Sequence, residues 1–395
     1  MKLRPILVRV TTIPISMRVL LKGQIRYMLD HGFDVRMVSG DSNDKPLLEA
    51  QEGEKLITVP LTRKITPLLD LICLIRLIRI FSKIKPDIVH THTPKAGLLG
   101  MWAAKLSGVP VRMHTVAGIP WMERKGLFKI LLRCIERLTA MASTGVYPNS
   151  FALKRFMLNE KIASRKLEVI GDGSSNGVDD EYFQSSDLIR EESVVLRQQK
   201  MLQKEDWVWI FVGRVVRDKG ISELLHAFKS IKEQFEGDQL WILGEEELDL
   251  DPLTDEDRIL MKSTKGIHCW GFREDIRPFL FASQVLVFPS YREGFPNVPM
   301  QAALMGTTLL LSDINGCNEI VEDRVNGLLV QPKNTSALTR AMLFIRNNEY
   351  LREQYAERAR EKVLARYSRQ VVQDQIFKEY IKQLKKKKLP LPEYE

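Results

Sequence analysis

Cysteine is sparse: Cys73, Cys134, Cys269 and Cys317 stand far apart in 395 residues, with no CxxC pair. A disulfide framework or a cysteine zinc cluster is therefore not expected, and a reducing cytoplasm is the natural home. No uncharged apolar run approaches the roughly 18 to 20 residues that span a bilayer. The opening MKLRPILVRVTTIPIS is basic and apolar, but Arg4 and Arg9 interrupt the run that a signal peptide needs, so it reads as a buried first strand. No GxGxxG follows that strand, which argues against a nicotinamide or flavin site there. Internal repeats and long low-complexity segments are also missing, and the only charge run is Lys385–Lys388.

What is there is ordinary globular material, 44% hydrophobic and 28% charged. A chain of 395 residues exceeds one ordinary core and fits two domains. The net charge of +9 is uneven: residues 1–190 hold 29 Lys and Arg against 18 Asp and Glu, the remainder 30 against 32. The first half is expected to face something anionic, whether nucleic acid, phospholipid or a diphosphate-linked substrate. Nucleic acid is disfavoured, because no aromatic-interleaved basic patch or recognition-helix motif is present.

Short β-branched runs alternate with helical patterns from end to end, the mark of βαβ units and parallel sheets. Strands are expected at 5–11, 34–39, 56–60, 87–92, 111–116, 145–148 and 167–170. A second series follows the polar stretch 184–206, at 208–212, 240–243, 267–269, 285–289, 308–312 and 328–330. The fold class is thus α/β, with two doubly wound Rossmann-like domains facing a cleft where ligands bind beyond the strand ends. The domains are placed at 1–184 and 185–369. Residues 370–395 form a C-terminal helix with a basic tail, expected to pack back on the first domain.

Two stretches carry candidate chemistry. In FVGRVVRDKGISELLHAF a strand ends, Gly213 turns the chain, and a helix begins near Ser222, a suitable N-cap. Arg214 and Lys219 bracket the loop, where two cations would neutralise a departing diphosphate. In FPSYREGFPNVPMQAALMG a strand runs into Glu293, Gly294, Phe295, Pro296 and Asn297, and a helix opens near Val298. Free N–H groups at that helix start form an anion site, and Glu293 at its mouth is placed to accept hydrogen bonds from sugar hydroxyls.

These residues resemble glycosyltransferase family four, of GT-B fold: 205–345 its donor domain and 85–183 its acceptor domain. The family's signature is a Glu, seven residues, then a second Glu. Here the first is Glu293 and the second is replaced by Gln301. The resemblance implies that Glu293 holds the donor sugar, that position 301 meets the nucleotide ribose, and that Arg214 and Lys219 bind the pyrophosphate. Asn297 and Val298 match the loop whose backbone touches the phosphates. An amide oxygen at Gln301 bonds a hydroxyl more weakly than a carboxylate. The blocks EGFPNVPMQAALMG, LSDINGCNEIV and HTPKAGLLGMWAAKLSGVPVRMHTVAG resemble bacterial capsule and surface-polysaccharide assembly transferases. The joining loop GDGSSNGVDDEYF reads as a hinge.

In the first domain, His90 and His92 share a strand face. With no third ligand at suitable spacing, no metal is expected, and a polar role towards the cleft is preferred for His92. His114 lies in the next strand. Relatives often carry a His where Ala117 stands, which leaves open whether His92 or His114 compensates. Acceptor-side contacts from Thr12 and Ser16 are a further expectation. The DxD at 249–251 sits in an acidic loop and is not a persuasive metal site. TPLLDLICLIRLIRIFSKIKPD and KGLFKILLRCIERL are greasy basic helices, read either as packed on the sheet or as lying on an anionic bilayer.

The resulting expectation is a metal-independent, cofactor-free retaining hexosyl- or N-acetylhexosaminyltransferase. Its donor is a nucleotide-sugar, a UDP-sugar first among them, and its acceptor a glycan or lipid-diphosphate-linked glycan. The enzyme is expected in the cytoplasm, with peripheral contact to the inner membrane surface and no nucleic acid partner. Rival readings are a GT-B epimerase or phosphorylase, and a non-catalytic nucleotide-sugar-binding subunit favoured by Gln301 and Ala117.

Overall fold

The computed structural model describes residues 4–119, 126–163, 166–203, 205–247 and 251–393. They form two compact units, 1–177 with 370–395 and 178–369. The first unit's strands are β1 (Ile6–Val10), β2 (Asp34–Ser39), β3 (Leu56–Thr58), β4 (Ile88–His92), β5 (Val111–Val116) and β6 (Gly145–Pro148), in the order β3-β2-β1-β4-β5-β6. All neighbours pair in parallel. Its connecting helices are α1 (Pro14–Leu20), α2 (Gln24–Asp30), α3 (Lys45–Glu52), α4 (Pro67–Ile84), α5 (Pro94–Leu106), α6 (Leu127–Ala142) and α7 (Phe151–Asn159). Because the strand order reverses at β1, right-handed crossovers place α1–α3 on one face of the sheet and α4–α6 on the other. Two cores reflect this, one around Leu7, Met17 and Met113, the other around Val8, Leu77 and Ala103.

The second unit repeats the plan. It contains α8 (Asp187–Gln199), β7 (Val208–Val212), a 3₁₀ turn (Arg217–Lys219), α9 (Ile221–Gln234), β8 (Gln239–Leu243), α10 (Asp255–Ser263) and β9 (Ile267–Gly271). Then come α11 (Arg277–Phe281), β10 (Val285–Phe288), α12 (Asn297–Leu304), β11 (Thr308–Ser312), α13 (Cys317–Ile320), β12 (Leu328–Val330), α14 (Thr335–Arg346) and α15 (Glu349–Tyr367). The parallel order β12-β11-β10-β7-β8-β9 matches the first sheet. Fully buried Trp209, Ile210, Phe211, Leu286 and Leu310 fill its core, as unbroken apolar runs in a sheet covered on both faces require.

The last helix, α16 (Arg369–Lys387), belongs to the first unit, where Val372, Phe377, Tyr380 and Leu384 join the core around Leu7. It also answers for a charge inside the first strand. Arg9 is fully buried in β1, and its guanidinium donates to the Tyr380 hydroxyl of α16 and to Gln24 Oε1. A buried cation without such partners would cost several kcal/mol, on the order of 3–5.

Three expectations are corrected. Residues 167–170 form no strand; Leu167 makes only an isolated bridge to Val146. The polar stretch 184–206 is largely α8, whose N-cap Ser186 accepts from Ile189 N. Residues 178–184 belong to the second unit: Val178 and Phe183 are in its core, and the Val178 backbone pairs with Tyr367 and Arg369.

Candidate functional site

In the second unit the candidate residues gather at the carboxyl ends of β7 and β10. The turn after β7 is held from below: Asp251 accepts from Asp218 N through its carboxylate and from Arg217 N through its carbonyl. Asp249, the other acid of the DxD, lies outside the described residues. The helix after this turn starts at Ile221 with Gly220 as N-cap, so Ser222 does not cap it; its hydroxyl donates to Asp257 Oδ1 at 2.7 Å.

Lys219 and Glu293, 74 residues apart, are brought into direct contact: Nζ pairs with Oε1 in an ion pair whose side chains are only 14% and 15% exposed. Ser290 Oγ donates to the same carboxylate oxygen at 2.9 Å, leaving Oε2 uncommitted among the described residues. The backbone of Glu293 and Gly294 is held from the loop before α13, where Asn315 Nδ2 donates to both carbonyls at 3.0 and 2.7 Å. Gly316 must be glycine: its φ is +77°, and a Cβ would lie 2.5 Å from the Gly294 carbonyl oxygen. Ser290 and Asn315 were missed in the sequence, where polar loop residues carry no signal for their partners.

Pro296 precedes α12, and the Asn297 and Val298 N–H groups at its first turn have no acceptor among the described residues. Phe295 packs at a tilt against Tyr367, ring centroids 5.1 Å apart, which anchors this loop. Gln301 is half-buried on α12, and its side chain makes no hydrogen bond among the described residues.

Arg214 stands apart from this pair. It is exposed and bonded to Glu247 at 2.8 Å, with no ion pair to Glu293. It lines a pocket of about 280 Å³ with Gly213, Glu247, Phe272, Arg273 and Ile276, at the ends of β7, β8 and β9. The expected basic pair is thus split, Lys219 on the α12 loop and Arg214 at the pocket.

In the first unit, His92 and His114 do not form one site. Strand alternation puts His90 and His92 on the face covered by α16, and His114 on the face covered by α5. His90 Nδ1 bonds the Tyr380 hydroxyl at 2.6 Å and Nε2 the Thr115 hydroxyl at 2.8 Å. His92 lies tilted against His90, centroids 4.2 Å apart, beside a cavity of about 20 Å³ shared with Tyr147 and Asn149, and its Nε2 has no partner among the described residues. His114 bonds the Thr91 hydroxyl and packs on Gly97, where a Cβ would sit 2.4 Å from its ring. Burial holds all three imidazoles neutral, with His114 lowered to about 4.

Thr12, at the end of β1, is buried and bonded through its hydroxyl and N–H to Thr93 Oγ1, at 2.7 and 3.1 Å. Thr93 itself has φ +87°, a costly conformation for a β-branched residue. Ser16 is half-buried on α1, and Ala117 is exposed, its carbonyl accepting from Asn149. No group of three His, Cys, Asp or Glu among the described residues is placed to hold a metal ion.

Residues 18–182 match the model of Glycosyltransferase Family 4, and residues 194–362 that of Glycosyl transferases group 1. The capsular polysaccharide biosynthesis glycosyltransferase CapM of Staphylococcus aureus is 30% identical over 358 residues, 90% of this chain and 92% of CapM. The UDP-Gal:alpha-D-GlcNAc-diphosphoundecaprenol alpha-1,3-galactosyltransferase of Escherichia coli is 30% identical over 330 residues, 81% of each chain. Among solved structures, Anabaena Alr3699/HepE in complex with UDP superposes with a TM-score of 0.80 at 18% identity, covering 96% of this chain and 100% of that one. With two parallel six-stranded sheets and these relatives, the chain belongs to glycosyltransferase family four and is a GT-B glycosyltransferase of polysaccharide biosynthesis.

Proposed function

We propose that the chain transfers a hexosyl or N-acetylhexosaminyl unit from a nucleotide-sugar, a UDP-sugar first among them, to a lipid-diphosphate-linked glycan, with retention and without a metal. The observation that carries this reading is the Lys219–Glu293 pair beside the open N–H groups of α12. A cation and a carboxylate in one shallow site fit the two halves of a nucleotide-sugar, the diphosphate and the sugar hydroxyls. When the diphosphate arrives, Lys219 turns from Glu293 to the phosphate, freeing the carboxylate to orient the sugar. As the glycosidic bond breaks, charge grows on the β-phosphate, where Lys219 and the α12 N–H groups stabilise it. The pocket at Gly213, Arg214 and Phe272 has the size and the aromatic wall for a nucleoside. HepE bound to UDP and UDP-glucose, and the E. coli enzyme's diphosphoundecaprenol acceptor, support the donor and acceptor classes.

The test is transfer from α-linked UDP-sugars to a lipid-diphosphate glycan, with the product's anomeric configuration read by NMR. An α product whose rate is unchanged by EDTA is expected; a β product or loss of the rate with EDTA overturns the corresponding part.

Gln301 offers a second check. Because its amide is half-exposed and unbonded among the described residues, Gln301→Glu is expected to leave stability within about 0.5 kcal/mol. The new carboxylate is expected to keep or modestly tighten UDP binding by calorimetry. A strongly destabilised variant with unchanged affinity removes residue 301 from the ribose site.

A further inference from the structure

At the carboxyl ends of β4 and β6 the first unit closes around polar atoms with nothing to bond. His92 Nε2, Asn149 Oδ1 and Ser175 Oγ are all buried and have no hydrogen-bond partner among the described residues, and the three residues line the same cavity of about 20 Å³. Buried polar side-chain atoms are as a rule bonded, and three orphans around one space point to a shared partner. None of the three is loosely held. Asn149 Nδ2 donates at 3.2 Å to the Ala117 carbonyl, which can only accept, so the amide is oriented and Oδ1 is the atom left over. The Asn149 backbone is tied through its N–H to Val116 at 3.0 Å and through its carbonyl to Ser174 at 2.8 Å. Ser175 is pinned by its own carbonyl, which accepts from Gln24 Nε2 at 2.7 Å. His92 lies against His90, whose two ring nitrogens are held by Tyr380 and Thr115.

The chemistry of these groups selects what can join them. Asn149 Oδ1 only accepts, the Ser175 hydroxyl donates or accepts, and burial keeps the His92 imidazole neutral, so Nε2 offers one hydrogen or one lone pair. A cation is opposed by the buried Arg9, close enough to disfavour protonation of His92, and among the described residues no carboxylate lines the cavity. An oxyanion is opposed by the lone pairs of Asn149 Oδ1. About 20 Å³ suits one neutral molecule of the size of water. We propose that this cavity is an internal water site, in which a single water bridges His92 Nε2, Asn149 Oδ1 and Ser175 Oγ. Three bonds are what a buried water ordinarily makes. The water gives one hydrogen to Asn149 and shares its other hydrogen and its lone pairs between Ser175 and His92. It thereby fixes the His92 ring at the end of β4, and joins the ends of β4 and β6 to the segment 174–177 that closes the unit's first stretch of chain. His92 is then oriented by bound solvent rather than by a protein partner. This goes beyond the catalytic reading and does not depend on it.

A crystal structure of the full chain at about 1.8 Å or better is expected to show one water within about 3.2 Å of all three atoms. Crystals soaked in rubidium chloride are expected to show no anomalous peak at that position. A thermal cycle carries the same question into solution. His92→Phe keeps a flat ring without nitrogens, and Ser175→Ala removes the hydroxyl alone. Each is expected to lower the melting temperature by roughly 2 to 4 °C. The double variant is expected to fall little further than the worse single one, because both side chains act through one water. The density decides the matter even if His92→Phe does not fold. The proposal is overturned if no ordered density lies between the three atoms or if the side chains pair directly with one another. It is equally overturned if an anomalous peak makes the ligand a cation, or if the two melting shifts simply add.

Discussion

Glu293→Gln is expected to cut sugar transfer by about ten- to a hundredfold while UDP binds as tightly as before or tighter. The two halves of this expectation come from the same ion pair. A carboxylate hydrogen bond to a sugar hydroxyl contributes roughly 1.5 to 3 kcal/mol, and the amide keeps only part of it. The carboxylate, however, also occupies Lys219, so a diphosphate must displace it. Neutralising position 293 releases the ammonium for phosphate. It also leaves Lys219, 14% exposed, without its counter-charge, lowering stability by about 1–3 kcal/mol until a phosphate arrives. The melting-temperature gain on adding UDP is therefore expected to be larger in the variant than in the wild type. Turnover, UDP affinity by calorimetry, and melting with and without UDP decide it. Lost UDP affinity in the variant would falsify the exchange of Lys219 between carboxylate and phosphate.

The fold was legible because its signal is local. Apolar β-branched runs of three to six residues, each followed by a helical pattern, place twelve parallel strands almost unaided. Glu293 and Lys219 were legible as residue types in turns, but not as partners, since nothing in a sequence encodes a contact across 74 residues. Arg214, read as the twin of Lys219, is drawn instead to Glu247 in the acidic loop after β8. His92 and His114 were both read as polar strand residues near a site. Separating them needed the strand register, which puts Thr91 against His114 and so sends His92 to the opposite face. The partners of Arg9 and His90 were out of reach for the same reason: both meet Tyr380, 371 and 290 residues away. The helix α8 was hidden by its polarity, for a surface helix rich in Arg, Glu and Gln differs from a linker mainly by its Ser186 cap.

The buried imidazoles of the first unit are expected to make it acid-labile from pH 6.5 down to about 4. His90 and His92 are held well below their ordinary value, first by burial and then by neighbouring positive or titratable groups, and His114 is lowered to about 4 by burial. Below pH 6.5 the unfolded chain takes up these protons and the folded one does not, so stability is full above 6.5 and falls as pH falls. Glu136 works in the opposite direction. Burial raises its carboxyl to about 7, so the folded protein holds a proton there that the unfolded chain releases above about 4.5, and stability falls as pH rises through that window. Near pH 5.5 the three histidines against one carboxyl leave a net uptake of about two protons on unfolding, or roughly 2.7 kcal/mol lost per pH unit. Urea unfolding of the first unit, followed by amide exchange in β4 and β5 at several pH values, measures this slope. Removing one titrating group on each side changes it in opposite directions. His114→Asn should make it shallower by about one proton whatever the cost of the lost Thr91 bond, and Glu136→Gln should make it steeper by about one. The two variants sharing the wild-type slope would mean that neither group is held in the protonation state its burial dictates.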